Sequence, residues 1–146
     1  MEYLVNSHLG GYYISDNDPS WIEEICEECG DCDIIIGSWN NEDEKYITLL
    51  DFFLENKLFN DLDNKIKEYF SYTYFDMNPI VDLLMDIKDE VEITIEFIDY
   101  FYKSGYITDD LADNLKVVIK KKEKDAYNFI KSYDYSNLSY NRQYTL

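Results

Sequence analysis

Residues 79–132 constrain the fold more than any other stretch. Asn78-Pro79 opens a helical pattern that Gly105 closes, and Thr108 with Asp109-Asp110 opens a second that runs to about residue 132. Proline suits a first helical position, where its missing N–H has no partner to lose. Glycine suits a helix end because it takes the left-handed conformation without strain. Over about 79–104, Ile80, Leu84, Ile87, Val91, Ile98 and Phe101 form an a/d-like seam, with Thr94 at one of its positions. Over about 109–132, Leu111, Leu115, Val118, Phe129 and Ile130 mark one face. Two long helices joined by so short a turn predict an antiparallel αα-hairpin.

Upstream, Asn40 or Asn41 can cap a helix whose first turn carries Glu42, Asp43 and Glu44, acids that the helix dipole favours there. Ile47, Leu50, Leu54 and Leu58 supply its apolar face, and Asn60-Asp61 restarts a helix with Leu62, Ile66, Tyr69, Phe70 and Tyr74. The first 40 residues read differently. Residues 2–5 and about 11–15 are short strand-like runs parted by Gly10-Gly11. Asp18-Pro19 predicts a helix over about 19–29, with Trp21, Ile22, Ile25 and Cys26 or Cys29 inward and Gly30 as its stop. Asp33 to Trp39 reads as a buried strand. The expected fold is α+β, mostly α, in a single domain over 1–146. A small β/α unit over 1–40 packs on a helical part over 41–132 that ends in the long hairpin, and a Tyr-, Asn- and Ser-rich tail follows over 133–146. So small a β/α unit needs a metal, or packing from the rest of the chain, to be secure.

Charge narrows the function. The chain has 31 Asp+Glu against 13 Lys+Arg, a net charge of −18. Residues 1–102 hold 25 acids and five lysines, net −20, and residues 103–146 hold six acids and eight bases, net +2. With 46% hydrophobic and 17% aromatic residues, this is no disordered acidic tail. The field repels nucleic-acid phosphate and anionic membrane, so the expected partner is a basic protein. No apolar run approaches the roughly 18–20 residues needed to span a bilayer. The first residues lack the basic and apolar regions of a signal peptide, and three cysteines do not suit a secreted disulfide framework. The expected location is the cytoplasm.

Four features can carry chemistry. Cys26-x-x-Cys29-x-x-Cys32 places thiolates at a spacing that converges on one ion, and His8, the one histidine, can complete a Cys3His zinc site. The plainer reading is small buried hydrophobes without metal. Glu23, Glu24, Glu27 and Glu28 are expected to raise the thiol pKa values, which argues against thioredoxin-like redox work. Asp82, Asp86, Asp89 and Glu96 fall in one narrow sector at about 100° per residue, a stripe roughly 20 Å long. Added to the acids of residues 16–44, that stripe can approximate a patch of phosphates. Lys120-Lys121-Lys122 and Lys124 are expected to face acids on the preceding helix. The clusters Tyr69, Tyr72, Tyr74 and Phe75, and Tyr100, Phe101 and Tyr102, supply core and half-exposed edges suited to interfaces. There is no phosphate-cradling Gly-rich loop, no Gly-x-Ser-x-Gly and no His-Glu-x-x-His, so no enzymatic activity is expected.

The runs His8-Leu9-Gly10-Gly11-Tyr12-Tyr13, Cys26-Glu27-Glu28-Cys29-Gly30-Asp31-Cys32-Asp33 and Ile36-Gly37 resemble the start of small acidic proteins of phages and other mobile elements of low-GC bacteria. In size, charge and helical content the whole chain resembles the anti-CRISPR and anti-restriction inhibitors. Many of those are nucleic-acid mimics or blockers that occupy the DNA-binding surface of a nuclease. The resemblance implies a non-enzymatic inhibitor that binds a basic nucleic-acid-binding surface of a Cas nuclease or restriction enzyme in a bacterial host. Asp82, Asp86, Asp89, Glu96, Glu23, Glu24, Glu27 and Glu28 are the expected contacts, with no cofactor required. The net positive segment 103–146 departs from the purest DNA mimics. The alternatives are a zinc-stabilised interaction or regulatory module, with Cys26, Cys29, Cys32 and His8 as ligands, and a steric or allosteric inhibitor using a Tyr-rich surface.

Overall fold

Helix starts follow the capping residues. The computed structural model describes residues 1–71 and 78–138. In it Asp18 Oδ1 accepts the Ser20 N–H at 2.9 Å, Asn41 Oδ1 the Glu44 N–H at 2.9 Å, Asn78 Oδ1 the Ile80 N–H at 3.0 Å and Thr108 Oγ1 the Leu111 N–H at 3.2 Å. Each bond satisfies a first-turn donor that the helix itself cannot. The elements run β1 (Glu2–Asn6), β2 (Tyr12–Ser15), α1 (Pro19–Ile22), β3 (Ile34–Trp39), α2 (Glu42–Leu54), α3 (Leu62–Phe70), α4 (Pro79–Lys103) and α5 (Asp109–Ser132), with a 3-10 turn at Tyr135–Asn137. The protein is α+β and mostly helical. Gly105 ends α4 at φ +77°. The Tyr106 N–H reaches the Phe101 carbonyl and the Gly105 N–H the Tyr102 carbonyl, both at 3.0 Å. This paired closure of orphan carbonyls is a Schellman motif, and it stops α4 within one residue of the expected position.

Two compact units share these elements: Met1–Phe53 with Asp99–Leu115, and Leu54–Ile98 with Lys116–Leu146. The first holds a three-stranded antiparallel sheet in the order β2-β1-β3. Leu4 pairs with Ile14 and Gly37, and Asn6 with Tyr12 and Ile34, with an irregularity between Leu4 and Val5 on the β3 side. Leu4, Val5, Ile14, Ile22, Trp39, Leu49, Phe53, Phe101, Ile107, Leu111, Ala112 and Leu115 are its buried apolar residues. The Tyr12 and Phe52 rings meet edge-on at 4.8 Å, which packs the sheet on α2. In the second unit Ile66, Phe70, Leu83, Ile87, Val91, Ile98, Ile119, Ala126, Ile130 and Leu138 are buried. Leu58 N–H donates to Glu90 at 2.8 Å and Tyr133 Oη to Asp63 at 2.7 Å. Thr94 is buried in the α4 seam, its hydroxyl donating to the Glu90 carbonyl at 2.8 Å.

Several expectations need correction. The helix expected over 19–29 stops at Ile22, and Trp21 and Ile25 are 76% and 64% exposed rather than inward. Its continuation would set Glu23 against Glu27 and Glu24 against Glu28 at i, i+4, a repulsive spacing that no packed face offsets. β3 is an edge strand, not a buried one: Ile34 and Ile36 are exposed. The inner face of α2 is Lys45, Leu49 and Phe53, while Ile47 is exposed and Leu50 half-buried. On α4 Leu83 is buried where Ile80 and Leu84 were expected, and those two are half-buried beside it. On α5 Phe129 is exposed and Val118 half-buried, and Ile119 and Ala126 take the inner positions. These shifts of one residue rotate a face by about 100°, which a seam read from spacing alone does not fix. Tyr72, Tyr74 and Phe75 and the tail from residue 139 lie outside the described residues. No helix among the described residues is long and apolar enough to cross a membrane.

Candidate functional site

Where the helix fails, residues 26–31 make a tight turn. Cys26 N–H donates to the Asp31 carbonyl and Gly30 N–H to the Cys26 carbonyl, both at 2.8 Å. Gly30 takes φ +77°, a conformation strained for any side-chain-bearing residue. His8 lies on the turn between β1 and β2, which Ser7 closes through its N–H to the Gly11 carbonyl at 3.0 Å. The sulfurs of Cys26 and Cys29 and a ring nitrogen of His8 all lie within 4.8 Å of one another. Cys26 and His8 are half-buried and Cys29 is exposed. These three can hold a metal ion. The fourth expected ligand, Cys32, does not belong to the group.

The local electrostatics depart from what the glutamates suggested. Cys26 is lowered to about 7, first by the Cys29 N–H, then by the Cys29 thiol and the Glu28 N–H, against the opposing effect of burial. Glu23, Glu24, Glu27 and Glu28 are all exposed, so water screens them while the turn's amides touch the sulfur. Cys29 is raised: the Asp31 N–H favours its thiolate, but the Cys26 thiol, burial and the charges of Cys26 and Asp31 outweigh it.

A residue that spacing did not single out completes the cluster. Asp33 Oδ1 takes the His8 N–H at 2.9 Å and also meets His8 Nδ1, while Asp33 Oδ2 accepts from the Tyr13 hydroxyl. Burial works against the Asp33 charge, but these donors hold its carboxyl below the usual carboxylate range. The hydrogen bond to Asp33 raises His8 in turn, against burial. The β1–β3 pairing explains the meeting, since Asn6 opposite Ile34 sets Asp33 beside the His8 turn. That pairing joins segments about 30 residues apart and leaves no local trace in the sequence.

The acidic stripe lies in the second unit and the glutamates of residues 23–28 in the first. Asp86, Asp89 and Glu96 are exposed and Asp82 is half-buried. None of the four makes an ion pair among the described residues, though Tyr69 Oη donates to Asp86 at 2.7 Å. Met85 and Ile93, 58% and 63% exposed, fall within or beside the same sector of α4. The outer face of α4 is thus Asp82, Met85, Asp86, Asp89, Ile93 and Glu96, acids interleaved with apolar side chains. The first unit repeats the pattern in sequence, with exposed Trp21 and Ile25 among Glu23, Glu24, Glu27 and Glu28. Among the described residues the lysine run makes no ion pair with α4: Lys120 pairs with Glu123 on its own helix at 3.5 Å, and Lys121, Lys122 and Lys124 are exposed. No protein-family model, curated protein or solved structure matches the chain.

Proposed function

We propose that the protein is a non-enzymatic inhibitor that binds a basic nucleic-acid-binding surface of a host defence nuclease, a CRISPR effector or a restriction enzyme. The observation that carries the reading is the outer face of α4, whose four acids have no ion-pair partner among the described residues. Charge selects a basic surface as partner. Size, acidity and helical content, which resemble those of anti-CRISPR and anti-restriction inhibitors, select the class of partner. Exposed Met85 and Ile93 supply the apolar contacts that a protein–protein interface adds to a charged rim. Acidic mimicry of DNA and direct protein recognition therefore use the same face.

Reversing Asp82, Asp86, Asp89 and Glu96 to Lys together is expected to weaken binding to the target nuclease at least tenfold, about 1.4 kcal/mol. The far-UV spectrum should stay that of the native protein. Affinity of the unaltered protein should also fall as salt rises from about 0.05 to 0.5 M, because exposed charges are screened. Affinity indifferent to both changes would reject this reading and favour the steric, Tyr-surface alternative.

His8, Cys26 and Cys29 favour a second reading, in which zinc staples the small β/α region of an interaction module. Two thiolates and an imidazole are the donors zinc prefers, and a core this small gains from a metal crosslink. Protein purified without added metal is expected to carry about one equivalent of zinc by elemental analysis, and chelation should lower its melting temperature. A metal-free protein that melts as the zinc-treated one does would exclude the staple.

A further inference from the structure

We infer that Asp33 is the positioning residue of a three-ligand zinc site at Cys26, Cys29 and His8, with the fourth coordination position open to an outside donor. The inference rests on the zinc reading above and adds what orients the histidine and what completes the sphere. Asp33 is bonded to His8 twice, at the backbone N–H and at ring Nδ1, so backbone and ring are fixed to the same carboxylate. With Nδ1 donating to Asp33, Nε2 is the nitrogen left with a lone pair for an ion. A carboxylate on the far nitrogen fixes the tautomer and strengthens the imidazole as a ligand. The Tyr13 hydroxyl holds the other carboxylate oxygen, so Asp33 is itself oriented.

The ligand count follows from the geometry. Cys32 stands outside the group whose donor atoms lie within 4.8 Å of one another, although it is only three residues beyond Cys29. Three protein ligands leave one corner of a tetrahedron, the arrangement of zinc sites that keep an exchangeable position. Exposed Cys29 places the site at the surface. The fourth donor is water in the free protein, exchangeable for a monodentate nitrogen or sulfur ligand.

The test uses full-length protein loaded with Co2+, which takes zinc's place and reports its ligands by absorbance. Asp33→Asn keeps the side-chain shape and removes the charge. It should weaken Zn2+ affinity about 10–100-fold, with the thiolate-to-cobalt band keeping its intensity and the ligand-field bands shifting. Cys32→Ser should bind Zn2+ as the unaltered protein does, with the same thiolate band. Added imidazole should shift the ligand-field bands of the Co2+ protein. Tyr13→Phe, which leaves both His8 bonds in place, serves as the milder second variant and should weaken Zn2+ less than Asp33→Asn does. Unchanged Zn2+ affinity in Asp33→Asn overturns the positioning role. Loss of about a third of the thiolate band in Cys32→Ser, or a spectrum blind to imidazole, overturns the open position. If the unaltered protein takes up neither metal, the zinc reading falls and this inference with it.

Discussion

Phe101→Ala is expected to destabilise the protein by about 4 kcal/mol, the middle of the range for a buried aromatic. Phe101 is fully buried at the end of α4. Its ring lies 5.9 Å from that of Phe53 and 6.0 Å from that of Tyr106, so it joins α2 to the turn of the hairpin. Truncation removes this aromatic contact and leaves a cavity that two helices and a capped turn cannot close over. For a chain of this length the melting temperature should fall by roughly 10–15 °C. Phe129→Ala is the control. Both phenylalanines belong to the apolar faces expected from spacing, yet Phe129 is 42% exposed, and its loss should cost about 1 kcal/mol. Equal losses for the two in urea denaturation would refute the assigned helix faces.

Lys45 carries the second large expectation. It is a lysine only 4% exposed on the inner face of α2. Its Nζ donates to the Tyr106 carbonyl at 2.6 Å and lies 3.5 Å from Glu2 Oε1 and 3.9 Å from Glu42 Oε1, with the Trp39 ring centroid 6.0 Å away. One ammonium thus joins β1, α2 and the residue after Gly105. Lys45→Met keeps most of the stem and removes the charge, leaving the Tyr106 carbonyl without its partner. About 2 kcal/mol should be lost, the cost of a charged, part-buried hydrogen bond whose acceptor is left without this donor. Lys45→Ala should cost about 1 kcal/mol more, from the lost packing of the stem. A Lys45→Met protein within about 0.5 kcal/mol of the unaltered one would show that the ammonium is not holding the turn.

What was legible in the sequence was local. Caps and stops depend on a few adjacent atoms, so Asp18, Asn41, Asn78, Thr108 and Gly105 begin or end helices where their chemistry predicts. The convergence of His8 with Cys26 and Cys29 was legible in part, because ligand types and spacing suggested it, although Cys32 was wrongly included. Residues 23–29 misled because Asp18-Pro19 is a sound start signal and says nothing about repulsion one turn later. Lys45 reads as one more charge among acids, because only its tertiary neighbours make it an inward residue. Asp33 reads the same way, since the strand pairing that delivers it to His8 is set by distant contacts. Met85 and Ile93 read as candidate core residues of α4, because spacing alone does not say which apolar residues face outward.

The hairpin has a consequence for how the chain can be divided. Its turn and the adjoining ends, Asp99–Leu115, belong to the first unit, while the greater lengths of α4 and α5 belong to the second. Neither unit is an uninterrupted stretch of polypeptide. A fragment ending anywhere between Leu54 and Ile98 would lack Phe101, Ile107 and Leu111 from the core of its sheet. A fragment beginning at Leu54 would retain a loop whose packing partners had been removed. The ribosome must therefore release most of the chain before either half can close, and the sheet, though made first, is completed only after the turn at Gly105 has emerged.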